Sequence, residues 1–553
     1  MSETAPTRDV VRLTVDGRAI EVPKGANAIQ AAKALGIHIP HYCYHEKLSV
    51  SGNCRMCLVE IGLPRLGPDR KPIIGPSGAP EINWMPKPQI GCATPVAEGM
   101  AVRTDSKIVQ DCRRGVMEFL LVNHPLDCPI CDQAGECHLQ QYSVEYGIGE
   151  SRFVEEKEPK PKRVRLGPRV MLDDERCILC SRCIRFSREI AGDDVLGIFE
   201  RGGHSRLGCY PGRELANNYS LNTVDVCPVG ALTSTDFRFK MRVWFLKETE
   251  SVCASCARGC NVTAGAREGK IYRLKPRRND AVNSDWMCDE GRLNFKWVND
   301  ERRLVAPRRR EMEADQTVPW EEALKACREG LAAAKGSLAI LASARSTTEE
   351  LWLIRRLAVA LGCDLLEVIP RAGEADRILV MADRNPNTAG ALLAGVAGAP
   401  PGSRLAALCA AVEQGKVDAL LAVGECAVKA GISEAALARL KLLVAVDLLP
   451  SRTTELAHWV LPGAAHFEKQ GTFVNGQGRM QRFSPAFPPQ AGVRPDWETL
   501  CALLPERERA GLVSFDAVFK KMCTETPSLS EVTWSGLGTG GVALTLPKEA
   551  TST

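Results

Sequence analysis

Hydrophobic and polar positions alternate at the start of the chain. Val11, Leu13 and Val15 fall on one side of a two-residue period and Arg12 and Thr14 on the other, which predicts a half-buried strand over 10–15. Asp16-Gly17 is the dipeptide that a type I′ turn prefers, and Ile20 and Val22 continue the pattern, so a hairpin opens the protein. Asn27 is placed to cap a short helix through Ala31, Ala32 and Leu35, with Gly36 ending it. Further on, Ile108, Val109, Cys112, Val116, Phe119 and Leu120 predict the apolar face of a helix over 105–122, closed off by Pro125. Two stretches break the patterning. Residues 62–88 are rich in Gly and Pro and read as a surface insertion, while 155–169 are charged and contain Pro, as a linker or edge segment does. From about residue 303 short apolar runs at 338–342, 378–381, 419–423 and 442–446 are separated by helical segments such as 349–361 and 402–413. That rhythm predicts a doubly wound, largely parallel sheet.

Composition narrows the class. A chain of 553 residues should form three to five domains. Hydrophobic content of 45% and charged content of 25% are those of an ordinary globular protein, and a net charge of +4 is too small to imply nucleic acid. No apolar run approaches the roughly 18 residues needed to cross a bilayer, and residues 1–10 lack the basic and apolar regions of a signal peptide. The expectation is a cytoplasmic chain without direct membrane insertion. In a reducing compartment the 23 cysteines are metal ligands before they are disulfides. Fifteen fall into four groups; Cys112, Cys209, Cys327, Cys363, Cys409, Cys426, Cys501 and Cys523 stand alone and read as small buried hydrophobes.

The group Cys177-Ile-Leu-Cys180-Ser-Arg-Cys183, completed by Cys227-Pro228, has the bacterial ferredoxin spacing of a [4Fe-4S] cluster. A two-cluster ferredoxin would carry further cysteines at 187, 217, 220 and 223, where this chain has Ser187, Asn217, Ser220 and Thr223. One ligand set is whole and its twin is gone. Four thiolates also suit zinc, which remains the alternative for a set of this kind.

Hairpin, helix and Cys43-x10-Cys54-x2-Cys57 together resemble the first domain of the large iron-sulfur subunit family of respiratory complex I, NADH:quinone oxidoreductase. In that family the domain is a plant-type ferredoxin (β-grasp) relative with a [2Fe-2S] cluster, and the resemblance implies Cys92, in Gly91-Cys92-Ala93-Thr94-Pro95, as the fourth ligand. The run His124-x3-Cys128-x2-Cys131-x5-Cys137 has only three cysteines. Its residues alone leave the fourth ligand open between His124 and Cys112; the family's [4Fe-4S] site with one histidine ligand implies His124. The set Cys253-x2-Cys256-x3-Cys260 with Cys288 resembles the [4Fe-4S] domain that opens molybdopterin oxidoreductases and the extra cluster of some bacterial complex I subunits. In the molybdenum enzymes a lysine two residues past the last cysteine links cluster to pterin; Glu290 stands here. Later segments, Asn385-Pro-Asn-Thr-Ala-Gly-Ala, Trp459-Val-Leu-Pro-Gly-Ala-Ala and Glu468-Lys-Gln-Gly-Thr-Phe-Val-Asn-Gly, resemble the molybdopterin-oxidoreductase-like part of complex I.

The implied architecture is multidomain, α+β and α/β: a [2Fe-2S] domain over 1–104, a [4Fe-4S] domain with one histidine and three cysteine ligands over 105–150, a ferredoxin-like [4Fe-4S] domain over 151–245, a molybdopterin-oxidoreductase-type [4Fe-4S] domain over 246–302, and a shortened, degenerate molybdopterin-oxidoreductase-like domain over 303–553. The resemblance implies an electron relay with one [2Fe-2S] and three [4Fe-4S] clusters and no molybdopterin, set in the peripheral arm on the cytoplasmic side of the inner membrane. Electrons would come from the flavin- and NADH-binding subunit, pass the Cys43, Cys177 and His124 clusters in that order, and leave through connecting subunits toward quinone. The Cys253 cluster would lie off the path. A soluble NAD-linked formate dehydrogenase or hydrogenase shares the first three motifs and is the alternative. Gly536-Leu-Gly538-Thr-Gly-Gly541 fits a dinucleotide fingerprint literally, but a strand-like 542–546 follows where a helix is required. No catalytic residue for NADH or quinone chemistry is expected in this chain.

Overall fold

The opening alternation is used as the sequence suggests. In a computed structural model, Val10–Val15 pairs antiparallel with Arg18–Pro23 around Asp16 and Gly17, which adopt φ of 49° and 77°. The structure describes residues 9–76, 78–311 and 314–545. They divide into two compact units, Met1–Trp244 and Phe245–Thr553.

In the first unit the hairpin joins a sheet in the order Arg18–Pro23, Val10–Val15, Ala101–Arg103, Leu58–Pro64, Ile82–Trp84, with Gln89–Ile90 also on Leu58–Pro64. The Ala28–Ala34 helix begins in a capping box between Asn27 and Gln30, and Gly36 follows it in the left-handed region. Its Ala28, Ile29, Ala31 and Ala32 pack with Leu13, Val15, Val59, Ile61 and Val102 in a core that also takes in Cys57 and Cys92. The Gly- and Pro-rich insertion is a hairpin arm. Leu58–Pro64 runs into it, Ile82–Trp84 returns, and the bridges Leu66 to Pro72 and Ile74 to Pro80 hold its outer part.

The Lys107–Leu121 helix forms where the period places it, but its buried face is Val109, Arg113 and Met117. The predicted face is therefore corrected: Phe119 is 82% exposed and Ile108 43%. The rotation follows from polar partners that hydrophobic counting ignores. The Tyr42 hydroxyl donates to the Met117 sulfur, and the Arg113 guanidinium lies over the Tyr146 ring. Lys157, in the charged segment, donates to the carbonyls of Leu121 and Val122 and so caps this helix, while Val164–Arg165 forms the edge of a three-stranded sheet with Val170–Leu172 and Leu232–Ser234.

The second unit opens with an antiparallel sheet of Lys247–Val252, Asn261–Arg267 and Lys270–Pro276. Its main sheet runs Ala314–Thr317, Arg308–Glu311, Trp459–Pro462, Leu442–Asp447, Ala419–Val423, Leu338–Ala342, Leu365–Val368, parallel from Trp459–Pro462 onward. Ile340, Leu421 and Val444 face one core and Leu341, Leu420 and Leu443 the other, which is why these strands are apolar throughout.

The strand expected over 378–381 is not one; Leu365–Val368 takes that place beside Leu338–Ala342. Asp376 causes the difference. Its Oδ1 accepts from the backbone N–H groups of Ile378, Leu379 and Val380, so a carboxylate replaces the neighbouring strand those donors would need. The Gly-rich segment near the end also has a place. Gly538 accepts from Arg482 and Gly541 from Arg479, so it presents carbonyls to arginines rather than amides to a phosphate. Val542–Ala543 then pairs with Arg479–Phe483, so the predicted 542–546 strand is shorter: Leu544 and Thr545 lie past its end, and Leu546, like residues 1–8, lies outside the described residues.

Candidate iron-sulfur sites and their connections

The Cys43 thiol hydrogen-bonds those of Cys54 and Cys92, and Cys57 bonds Cys92, so the four predicted sulfurs form one group. These shared bonds hold Cys43 and Cys57 below the ordinary thiol range and push Cys54 and Cys92 above it. Gly91 donates its N–H to Cys57 O at 2.9 Å, an approach so close that an added Cβ would lie 2.8 Å from that oxygen.

Cys177, Cys180, Cys183 and Cys227 line a second pocket, with Ile178, Ile184, Ile198, Leu207 and Leu232 completing its wall. Leu179 and Ser181 take φ of 51° and 59°, a region that non-glycine residues rarely adopt; the loop is bent there between successive cysteines. Burial pushes the Cys180 thiol up to about 11 and Cys177, Cys183 and Cys227 upward as well. The positions of the absent twin are tied up by hydrogen bonds instead. Asn217 Nδ2 donates to Asp193 Oδ2 at 2.9 Å, Ser187 Oγ to the Asp193 carbonyl, and Thr223 Oγ1 to Ser220 O at 2.7 Å.

His124, Cys128, Cys131 and Cys137 line a third pocket, of which Cys112 is not part. Burial lowers the His124 pKa to about 4, helped by Arg176, Lys157 and Lys162, so the imidazole is neutral and its ring nitrogen free to ligate. Gly230 closes this pocket: an added Cβ would lie 2.3 Å from the Cys131 sulfur. Arg242 donates to the Cys131 carbonyl at 2.7 Å.

In the second unit the Cys253 N–H bonds Cys260 O at 2.8 Å, and Gly291 N donates to the Cys288 sulfur at 3.3 Å. A Cβ on Gly291 would meet the Cys253 and Cys288 sulfurs at 3.1 and 3.2 Å, and Cys256 adds to the raised pKa of both. The four cysteines are thus neighbours. Glu290, at the position of the molybdenum enzymes' lysine, pairs with Arg384 at 3.4 Å.

Among the described residues no three His, Cys, Asp or Glu side chains converge as the ligands of a single ion would. The Cys177 and His124 sets instead line pockets, and glycines stand where a Cβ would meet a sulfur of the His124 or Cys253 set. Soft thiolate donors with a neutral imidazole are the donor chemistry iron-sulfur clusters take. The residues present fit such groups.

Three of the sites are joined inside the first unit. Arg182 donates to Tyr44 O, beside Cys43, and to Val226 O, beside Cys227. Arg185 donates to both Cys43 O and Cys180 O. On the other side, His138 N donates to Pro228 O at 3.1 Å, joining the residue after Cys137 to the residue after Cys227. The Cys43 and Cys137 sites also share an aromatic stack: Tyr42 meets Tyr142 at 5.3 Å between ring centroids, and His138 meets Tyr142 at 5.9 Å. Sequence reasoning missed Arg182, Arg185, Gly230 and Gly291. The one available signal was two arginines interleaved with ligands in Cys180-Ser-Arg182-Cys183-Ile-Arg185.

Comparison with known proteins gives five family matches in chain order. They are a 2Fe-2S iron-sulfur cluster binding domain over 8–107, the NADH-ubiquinone oxidoreductase-G iron-sulfur binding region over 113–152, the ferredoxin-like domain of NADH-quinone oxidoreductase subunit 3 over 167–233, the NDSU1/NuoG-like 4Fe-4S domain over 246–304, and molybdopterin oxidoreductase over 366–506. NADH-quinone oxidoreductase subunit 3 of Thermus thermophilus is 42% identical over 64% of this chain and 46% of its own length. An NADH-quinone oxidoreductase subunit of Streptomyces coelicolor is 38% identical over 67% of this chain and 42% of its own. The potato mitochondrial NADH dehydrogenase iron-sulfur protein 1 is 41% identical over 57% and 40%. The matches span less than half the length of these relatives. A chain of a NAD+-reducing [NiFe]-hydrogenase, 27% identical over 42% of this chain and 91% of its own, aligns with a TM-score of 0.34, too low to bear on the fold. In its cluster-bearing regions and in their order, the chain is similar to the large iron-sulfur subunit family of NADH-quinone oxidoreductase.

Proposed function

We propose that the chain is an electron-relay subunit of an NADH:quinone oxidoreductase. A cluster, when bound, accepts and passes one electron with little rearrangement. Cys43, Cys54, Cys57 and Cys92 would hold a [2Fe-2S] cluster; Cys177, Cys180, Cys183 and Cys227 a [4Fe-4S] cluster; His124, Cys128, Cys131 and Cys137 another; and Cys253, Cys256, Cys260 and Cys288 a fourth. The observation that carries the reading is the pair of arginine bridges between the Cys43 and Cys180 segments, followed by the His138 to Pro228 bond into the His124 site. They support the order Cys43 site, Cys177 site, His124 site. In the Cys177 set burial raises all four thiols, which hold their protons until iron displaces them.

On this reading the five domains are those laid out from the sequence, the first is a β-grasp fold, and electrons enter from a flavin- and NADH-binding subunit and leave to quinone-side subunits in a peripheral arm. No helix of the described residues is long and apolar enough to cross a membrane. The α/β domain would be a degenerate scaffold without molybdopterin, as Glu290 and its Arg384 partner support. The test is metal and sulfide content with low-temperature EPR on anaerobically purified, dithionite-reduced protein. About fourteen iron and fourteen acid-labile sulfide per chain are expected for one [2Fe-2S] and three [4Fe-4S] clusters. Zinc with little iron would overturn the relay, and stoichiometric molybdenum would overturn the scaffold.

A further inference from the structure

Two arginines of the Arg182–Glu189 helix are buried without a matching charge. Arg182 is 6% exposed and Arg185 9%. Among the described residues neither has a carboxylate within ion-pair distance. Their hydrogen bonds go to neutral acceptors: Arg182 to Tyr44 O and Val226 O, and Arg185 to Cys43 O, Ser49 O, Cys180 O and Ser181 Oγ. A buried cation without an anion is among the costlier things a fold can contain. Five of these six acceptors lie on, or within two residues of, a cysteine of the Cys43 set or the Cys177 set, and the sixth, Ser49, lies in the loop between Cys43 and Cys54. Each guanidinium reaches toward both sets at once. A cluster held by four thiolates is an anion in both of its redox states, and reduction adds to that charge.

We infer that Arg182 and Arg185 are counter-charges shared by two clusters, the one in the Cys43 set and the one in the Cys177 set. This rests on the iron-sulfur reading of both sites. A fixed positive charge stabilises the more negative, reduced form, so each arginine raises the midpoint potentials of two clusters together. Because the same pair serves both, it moves the two potentials in the same direction. Arginine suits the place better than lysine for geometry, since its planar fork can donate to carbonyls of two segments at once. The charge itself, and not the fork, carries the effect on potential.

The experiment is an EPR-monitored redox titration of the full chain carrying Arg185→Gln, Arg182→Gln or Arg185→Lys beside wild type. Signals from a [2Fe-2S] and from [4Fe-4S] clusters in wild type are the precondition; their absence would defeat the iron-sulfur reading itself. With the signals present, each glutamine variant is expected to shift both the Cys43-set and the Cys177-set midpoints to more negative values, and the His124-set midpoint less. Arg185→Lys is expected to keep both near wild type. Midpoints that stay in place, a shift of one cluster only, or an equal shift of all three would overturn the shared counter-charge. If the glutamine variants lose iron, the lysine variant decides: midpoints that fall although the charge is kept would assign the arginine to geometry alone.

Discussion

Gly230 is the residue on which the His124 pocket turns most sharply. Its Cα sits so near the Cys131 sulfur that a methyl group would lie 2.3 Å from it and 3.1 Å from Gln133 Cβ. Gly230→Ala should therefore displace Cys131 and cost the chain one [4Fe-4S] cluster, about four iron of about fourteen, with the [2Fe-2S] signal kept. Full iron content in the variant would show that the loop has room to yield. His466 gives a prediction in pH. It is buried beside Phe467, Phe473 and Phe483, and its Nε2 has no hydrogen-bond partner among the described residues. Burial lowers its pKa to about 3, with Lys469 adding to the effect. The unfolded chain takes up this proton near pH 6.5 and the folded chain only near 3. Stability is whole above pH 6.5 and is lost as pH falls through that window, by about 2 kcal/mol at pH 5. Denaturant unfolding at pH 8 and pH 5 should show His466→Leu losing about 2 kcal/mol less than wild type over that interval. Equal losses in the two proteins would mean that the imidazole charges without unfolding.

Elements were legible where one physical term dominated. The first hairpin, the capped Ala28–Ala34 helix and the fully apolar strands of the main sheet follow from alternation, capping and double-sided burial. The short cysteine runs stood out because their spacing is local, whereas Cys92 and His124 came only from the family resemblance. What stayed hidden depends on side chains supplied from elsewhere. Arg113 on the buried face of Lys107–Leu121 finds its place through Tyr146, and no period in the sequence announces that contact. Gly230 matters through the Cys131 sulfur and Gly291 in part through that of Cys253, both distant in sequence, and Arg182 and Arg185 through carbonyls more than 100 residues away. The failed strand over 378–381 is the clearest case, since its central Leu379 and Val380 are buried as a strand's would be, while Asp376 holds the N–H groups of Ile378, Leu379 and Val380 in a turn. Asp376→Ala should leave three amides without their acceptor, at about 1–3 kcal/mol for each buried one. Hydrogen exchange of Ile378, Leu379 and Val380 is expected to rise roughly tenfold or more, given about 1.4 kcal/mol per tenfold. Unchanged protection would show that these amides are held by burial alone.

The whole molecule separates its candidate clusters by unit. Three sites are joined through arginine bridges and a backbone bond within Met1–Trp244, which makes a continuous line; the Cys253 site belongs to Phe245–Thr553. The two groups should therefore respond differently to loss of a ligand in the assembled complex. Cys180→Ala removes the middle of the line. NADH should then still reduce the Cys43 cluster, while the His124 cluster stays oxidised and quinone reduction stops, as rapid-freeze EPR and turnover would report. Cys256→Ser takes a ligand from the other unit and should remove one [4Fe-4S] signal while NADH oxidation continues largely intact. The pairing makes the outcome informative in both directions. If an assembled Cys180→Ala complex reduced quinone normally, the Tyr42, Tyr142 and His138 stack, which runs from beside Cys43 to beside Cys137, would become the route to examine. If Cys256→Ser stopped turnover in a complex that still assembled, the fourth cluster would belong to the path, and the line through Arg182 and Arg185 would be only part of it.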